Sequence, residues 1–406
     1  MFIKRDIYEK LEKEVKNNKI TALVGPRQVG KTTLLKEIKK NLEKSIYITF
    51  DDRKILNLFE EDIDLFIDKY ISEFDYIFID EFQYAKQGGQ KLKFIFDTIE
   101  NKKIFISGSS NPELAIHSFQ YLVGRISIIE IFPLTFREYL NYKSNEDSVF
   151  FKKIRKQDPL KLIKKYFEEY LKFGGFPDCV LQNSDEDKKK VLKNIVESYL
   201  FKEIKEILDY KNIYEFENVL KRVALQDCKI LNKNSFSEDL GIEYRRLTEI
   251  FNTLDKTYLL FLLQPFLKNK IKEQIKSPKT IMLDLGLKNS LINNFNDLDL
   301  RVDKGEIYEN FIFSQLIKMG LRTQFFNEQN RYEMDFVYEK DGEIVGIECK
   351  SKFKELKPNK SIIRFIETFK AKKVIVFNQD LDGEILYGEC KIIFTNYLNV
   401  YNIENM

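Results

Sequence analysis

The sequence predicts an α/β protein, a parallel sheet with helices on both faces followed by a mainly helical domain and a small mixed α/β domain. Three observations predict it. Short apolar runs alternate with amphipathic stretches as far as about residue 140, a Gly-rich turn links the first run to a helix, and the pattern changes twice downstream. A chain of 406 residues is too long for one compact core. The expected division is 1–150, 151–296 and 297–406.

The apolar runs are Ile20–Gly25, Ile46–Phe50, Tyr76–Asp80 and Ile104–Ser107, with Ile126–Phe132 as a fifth strand and Val29–Leu42 as the first helix. Fully apolar strands imply a sheet covered on both faces. The chain becomes charged and unpatterned from about Asn141 to Tyr166, around Lys156-Gln157-Asp158-Pro159, which marks the first boundary. Beyond it, Phe236–Ile242 and Tyr244–Thr248 read as two helices joined by a turn at Gly241. Leu259–Leu263, Pro265-Phe266 and Thr280–Leu283 would supply a wing, so a winged-helix unit is expected. After Asp297 the sequence predicts a helix over Glu306–Lys318 and strands near Tyr332–Val337, Ile344–Glu348 and Val374–Phe377.

Composition excludes several classes. Hydrophobic residues at 43% and charged residues at 32% suit packed cores rather than disorder. The 67 basic and 64 acidic side chains nearly cancel, so any nucleic-acid contact has to come from a local patch. No apolar stretch approaches the roughly 18 residues that span a bilayer, and Met1–Asp6 lacks a signal core. The expectation is a cytoplasmic protein with no membrane partner. Cys179, Cys228, Cys349 and Cys390 lie far apart and indicate neither zinc nor disulfides. His117 is the one histidine and has no nucleophile motif beside it, which reads as a surface or packing residue.

The strongest motif is Gly25-Pro26-Arg27-Gln28-Val29-Gly30-Lys31-Thr32, with Thr33 following. A triphosphate concentrates negative charge, and a Gly-rich turn at a helix N-terminus meets it with inward backbone N–H groups. Lys31 would reach the terminal phosphates, and the Thr32 hydroxyl would ligate Mg²⁺. The motif follows an apolar strand and opens an amphipathic helix, the context that ATP binding requires.

Hydrolysis needs carboxylates nearby. Asp80 would hold the metal and Glu81 would polarise water, although two acids can also simply end a strand in solvent. Ser107-Gly108-Ser109-Ser110-Asn111 would sit beside the γ-phosphate, with Ser109 as its candidate sensor; the other reading is an ordinary loop. Arg27 and Arg125 are candidates to neutralise transition-state charge, Arg125 in cis or from a second copy in a homo-oligomer, and surface salt bridges explain both as well.

These segments resemble the AAA-type ATP-binding proteins of bacteria and archaea that carry a C-terminal domain of unknown function. Gly25–Thr33, Ile79–Gln83, Ser107–Ser110, Leu122–Arg125, Phe132–Glu138 and Phe173–Pro177 carry the resemblance, followed by Met282–Leu287, Tyr332–Val337 and Gly346–Lys350. One departure is Glu203 in Tyr199–Glu203, where an Asp is expected. The resemblance implies an AAA-like P-loop ATPase core, a winged-helix middle and a terminal domain similar to restriction-type nucleases.

Metal-dependent phosphodiester cleavage needs carboxylates converging on Mg²⁺ and a lysine. Asp335, Glu348 and Lys350 have the types and order, and Glu309 on the preceding helix could complete the shell. Such a domain either cleaves or persists as a binding module with an idle site. Tyr244, Arg245 and Arg246 would enter a DNA groove while Lys270, Lys272, Lys276 and Lys279 touch phosphates, or the same face would meet a protein partner.

Overall fold

The structure is a computed structural model that describes residues 2–108, 120–146, 159–198, 213–268, 273, 276–351 and 353–406. The chain divides into two compact units, Met1–Leu134 with Lys256–Tyr258, and Thr135–Asp255 with Leu259–Met406.

The first unit is built on five strands, β1 (Ile20–Val24), β2 (Ser45–Thr49), β3 (Tyr76–Asp80), β4 (Lys103–Gly108) and β5 (Ile126–Glu130). They pair in the order β2-β3-β4-β1-β5, and every pairing is parallel. Helices Lys31–Lys39, Arg53–Glu61, Ile63–Tyr70 and Gly88–Thr98 make the crossovers. All five residues of β1 are buried, as an interior strand between covering helices requires, whereas β2 and β5 at the edges are partly exposed. Phe78 and Phe105 stack at 4.9 Å across β3 and β4, and in a separate group Phe59 meets Phe66 and Phe82 edge to face while Phe50 packs tilted on Phe59 and stacked on Phe82. Asp52 and Asp62 cap two helices by accepting from Lys54 N at 2.9 Å and Leu65 N at 3.0 Å.

The five expected strands all form. The helix expected over Val29–Leu42 as the first is the second, after Tyr8–Glu14, and spans Lys31–Lys39, because Gly30 adopts a left-handed φ of 94° and Val29 stays in the loop.

In the second unit, β6 (Lys229–Ile230), β7 (Leu260–Leu263) and β8 (Lys279–Met282) make an antiparallel sheet ordered β6-β8-β7. It accompanies the helices Lys233–Leu240 and Tyr244–Lys256, joined at Gly241, whose φ of 64° closes the first helix. A six-stranded mixed sheet follows, formed by β9 (Gln324–Glu328), β10 (Tyr332–Lys340), β11 (Glu343–Cys349), β12 (Lys373–Asn378), β13 (Gly383–Tyr387) and β14 (Cys390–Asn396). Its order is β13-β14-β12-β11-β10-β9. Helix Lys360–Phe369 buries Ile362, Phe365 and Ile366 against it. Helix Lys304–Lys318 is buried along most of its length.

One buried carboxylate ties two segments of this unit together. Asp284 begins the helix Leu285–Leu291, accepting from Gly286 N at 2.9 Å through Oδ1 and from Gly175 N at 2.9 Å through Oδ2. Gly174 has φ +70°, and a Cβ there would overlap the Asp284 carboxylate. Asp284→Ala should therefore cost about 3 kcal/mol, from a lost cap and two stranded buried N–H groups. The check is urea unfolding of the full chain followed by far-UV circular dichroism, where an unchanged midpoint would refute this account.

Candidate functional site

The phosphate loop grows out of the end of β1. Gly25 has φ 143°, and a Cβ on it would strike the Ile131 carbonyl oxygen, so only glycine fits. Gln28 at φ 60° and Gly30 at φ 94° curl the loop, and helix Lys31–Lys39 opens without a side-chain cap. Its first N–H groups therefore lack a protein side chain at the positive end of the dipole, which fits a phosphate. Lys31 is buried and donates to Gly25 O at 2.8 Å and Pro26 O at 2.7 Å. Pro26 and Val29 are buried, while Gln28 and Thr33 are exposed.

Arg5 braces the loop from behind, donating to Val29 O at 3.0 Å and Phe132 O at 2.6 Å. The sequence offers no signal for it, because the contact joins positions far apart in the chain.

Asp80, at the end of β3, is the meeting point. Its Oδ2 accepts from Thr32 Oγ1 at 2.6 Å and from Tyr47 OH at 2.6 Å, and its Oδ1 accepts from Ser107 Oγ. Because β4 lies between β1 and β3, Ser107 at its end fills the gap between Thr32 and Asp80. Tyr47 arrives from β2 on the other flank of β3. Burial, then the bond to Asp80, raises the Tyr47 hydroxyl above its ordinary pKa, so it remains a donor. A tyrosine two places before the end of an edge strand was the available clue, but its direction depends on the strand order.

Glu81 follows in the left-handed region, φ 56° and ψ 41°, a strained conformation for this residue type. Gln83 Nε2 donates to its Oε2. Burial raises the Glu81 pKa most; Gln83 opposes this, Asp80 reinforces it, and the charges of Lys31 and Arg27 pull it back. Lys31, Thr32, Asp80, Glu81 and Arg27 thus share one neighbourhood. The donor set, two carboxylates with a hydroxyl and an ammonium beside an uncapped helix, fits Mg²⁺ with a nucleoside triphosphate.

The structure does not bring Arg125 there. It precedes β5, its carbonyl accepting from Ile20 N at 2.8 Å at the start of β1, whereas the loop leaves the other end of that strand. Five residues of strand separate the two edges by about 16 Å. Arg125 is forked onto Asp97 at 2.7 and 3.1 Å, so the cis reading of Arg125 is corrected to a surface ion pair. Ser109 and His117 lie outside the described residues, as do Glu203, Lys270 and Lys272.

In the C-terminal sheet, β10 and β11 pair antiparallel with Phe336 opposite Ile347, which sets Asp335 opposite Glu348. Asp335 Oδ2 accepts from Cys349 N at 2.7 Å. Glu348 Oε1 lies 3.0 Å from Lys350 Nζ, and its buried Oε2 has no partner. Burial, then Asp335, pushes the Glu348 carboxyl up to about 8, against Lys350. Glu309 is held at 2.6 Å by Lys279, which is buried, so the expected phosphate contact by Lys279 is corrected. Among the described residues no group of three His, Cys, Asp or Glu side chains is arranged to hold a metal ion. As arranged, Glu309, Asp335 and Glu348 do not fit one.

Of the other basic side chains on the helical domain, Arg245 is exposed and Arg246 is paired with Glu215, while Lys276 is exposed. No helix among the described residues is long and apolar enough to cross a membrane.

Comparison with known proteins agrees with the organisation seen here. Residues 17–140 match the model of an AAA domain, residues 164–298 that of a domain of unknown function (DUF8612), and residues 304–395 that of a second (DUF4143). An uncharacterized protein of Methanocaldococcus jannaschii is 29% identical over 398 residues, covering 93% of this chain and 86% of the relative. An uncharacterized protein of Haemophilus influenzae is 27% identical over 358 residues, covering 81% of this chain and 82% of its own. A solved Walker-type ATPase of Pyrococcus abyssi is similar with a TM-score of 0.49 at 16% identity, covering 71% of this chain and 96% of that one. Residues 17–140, which hold the phosphate loop and the five-stranded parallel sheet, thus match an AAA domain, and the two segments that follow match two domains of unknown function.

Proposed function

We propose that the protein is a Mg²⁺-dependent ATPase whose hydrolysis rearranges a winged-helix and nuclease-like module that binds DNA or a protein partner. The observation that carries this reading is Asp80, which gathers Thr32 and Ser107 around one carboxylate with Glu81 strained and desolvated beside it. Lys31 and the first N–H groups of its helix bind the phosphates, and Thr32 with Asp80 holds the metal. Bound Mg²⁺ supplies charge neutralisation on the phosphate oxygens. Glu81 orients the attacking water and accepts its proton at the carboxylate, and Gln83 fixes where that carboxylate points. Arg125 serves only where a second copy presents it. We further propose three domains bounded near residues 150 and 296.

The C-terminal sheet is read as a nuclease-like fold that binds rather than cuts, because lysines occupy two of its carboxylates. Plasmid and single-stranded DNA incubated with Mg²⁺ or Mn²⁺ should stay intact; cutting that Asp335→Ala abolishes would overturn this part.

Lys31→Ala should reduce ATP affinity below detection in calorimetry, and Glu81→Gln should keep binding while lowering turnover by roughly a hundredfold or more. A Glu81→Gln enzyme as fast as wild type would refute the assignment of the base. A general base works deprotonated, so with the Glu81 pKa raised, kcat should fall on acidification at a pH above that of an ordinary glutamate near about 4.3. A pH profile of wild type against Glu81→Gln checks this, the variant lacking that limb.

A further inference from the structure

Three carboxylates and two lysines of the second unit form a cluster apart from the phosphate loop. Asp335 lies between the other two acids, its charge acting on Glu309 and on Glu348. Lys350, one residue beyond β11, serves Glu348. Lys279 comes from a different sheet, on β8, and serves Glu309 at 2.6 Å. Its ammonium lies 5.4 Å from the Phe325 ring centre and 5.9 Å from that of Phe336, the neighbour of Asp335 in β10. Burial opposes its charge, but Glu309 and then Asp335 outweigh that and hold Lys279 protonated.

This placement competes with a metal ion. A divalent cation binds carboxylate oxygens at about 2.0–2.6 Å. An ammonium already 2.6 Å from Glu309 Oε1, enclosed by two aromatic faces, occupies that approach. The lysine also supplies the neutralising charge that draws a cation to neighbouring acids. Yet Glu348 Oε2 is buried without a partner, so one oxygen of the cluster is already open. Withdrawing the ammonium would open a second.

We propose that Lys279 is the built-in cation of this cluster: it takes the place of a divalent ion on Glu309, so the protein holds no metal there and acquires a metal site when that ammonium is removed. The proposal rests on the nuclease-like reading of the sheet, and it makes the position of β8 the element that decides whether the acids are closed or open. A failure of the cleavage reading would appear as cut DNA, whereas the proposal is read from metal uptake alone.

The test titrates Mn²⁺ into full-length protein without nucleotide and follows free Mn²⁺ by electron paramagnetic resonance. Wild type and Glu348→Gln should take up Mn²⁺ equally. Lys279→Met should take up one ion per chain more than wild type, and lose it again on adding Glu348→Gln. Lys279→Arg, which keeps the charge, should gain nothing. A wild-type site that Glu348→Gln removes, or a folded Lys279→Met that gains none, would overturn the proposal. Should Lys279→Met fold only with Mn²⁺ present, the recovered circular dichroism counts for it. Should it not fold at all, the wild-type and Glu348→Gln comparison decides, equal uptake supporting the proposal and unequal uptake refuting it.

Discussion

The P-loop unit of this protein depends on one carboxylate. Asp80 receives hydroxyl groups from Thr32, Tyr47 and Ser107, which belong to a helix start, an edge strand and an inserted strand. Hydrogen bonds to a charged acceptor stabilise by about 1.5–3 kcal/mol each when buried, and here they fix the relative position of three elements. The inserted β4 makes this possible, since without it β1 and β3 would be adjacent and no third hydroxyl would fit between them. The strand order is thus as much a part of the site as the residues are.

Two strained residues lie in the same place. Gln28, Glu81 and the two loop glycines all have positive φ, and a non-glycine residue pays for that conformation only where its surroundings impose it. Arg5 and the Ile131 backbone press the loop from one side, and Gln83 holds Glu81 from the other.

What the sequence revealed follows the range of each interaction. The phosphate loop, the five strands and the Asp80-Glu81 pair were legible because each is a local pattern of spacing and hydrophobicity. Tyr47 and the bond from Ser107 to Asp80 were harder, since they appear only once β2 and β4 are known to flank β3, and Arg5 acts through Val29 and Phe132, far from it in the chain. For Arg125 the surface ion pair, one of the readings left open, is the one that forms, because a residue next to a strand can lie at either edge of the sheet. In the C-terminal sheet Asp335 and Glu348 are readable from a hairpin spacing, whereas Lys279 reads as one of a row of phosphate contacts on a wing. A row of lysines does not show which one turns inward, and the rings of Phe325 and Phe336 that enclose it come from later in the chain. The short β6, the strands β9, β13 and β14 and the helix Lys360–Phe369 are not readable in the sequence, β9 and β13 because polar residues interrupt their apolar runs.

The hold of Lys31 on the carbonyls of Gly25 and Pro26 has a consequence for selectivity. An incoming anion has to exchange with two hydrogen bonds that the lysine already makes, so capture is a competition and not the filling of an empty place. A group bearing little charge gains too little from the ammonium to win that exchange, while a polyphosphate, engaging the helix N-terminus at the same time, wins it easily. The loop therefore discriminates by charge density before any contact with a base or sugar is made.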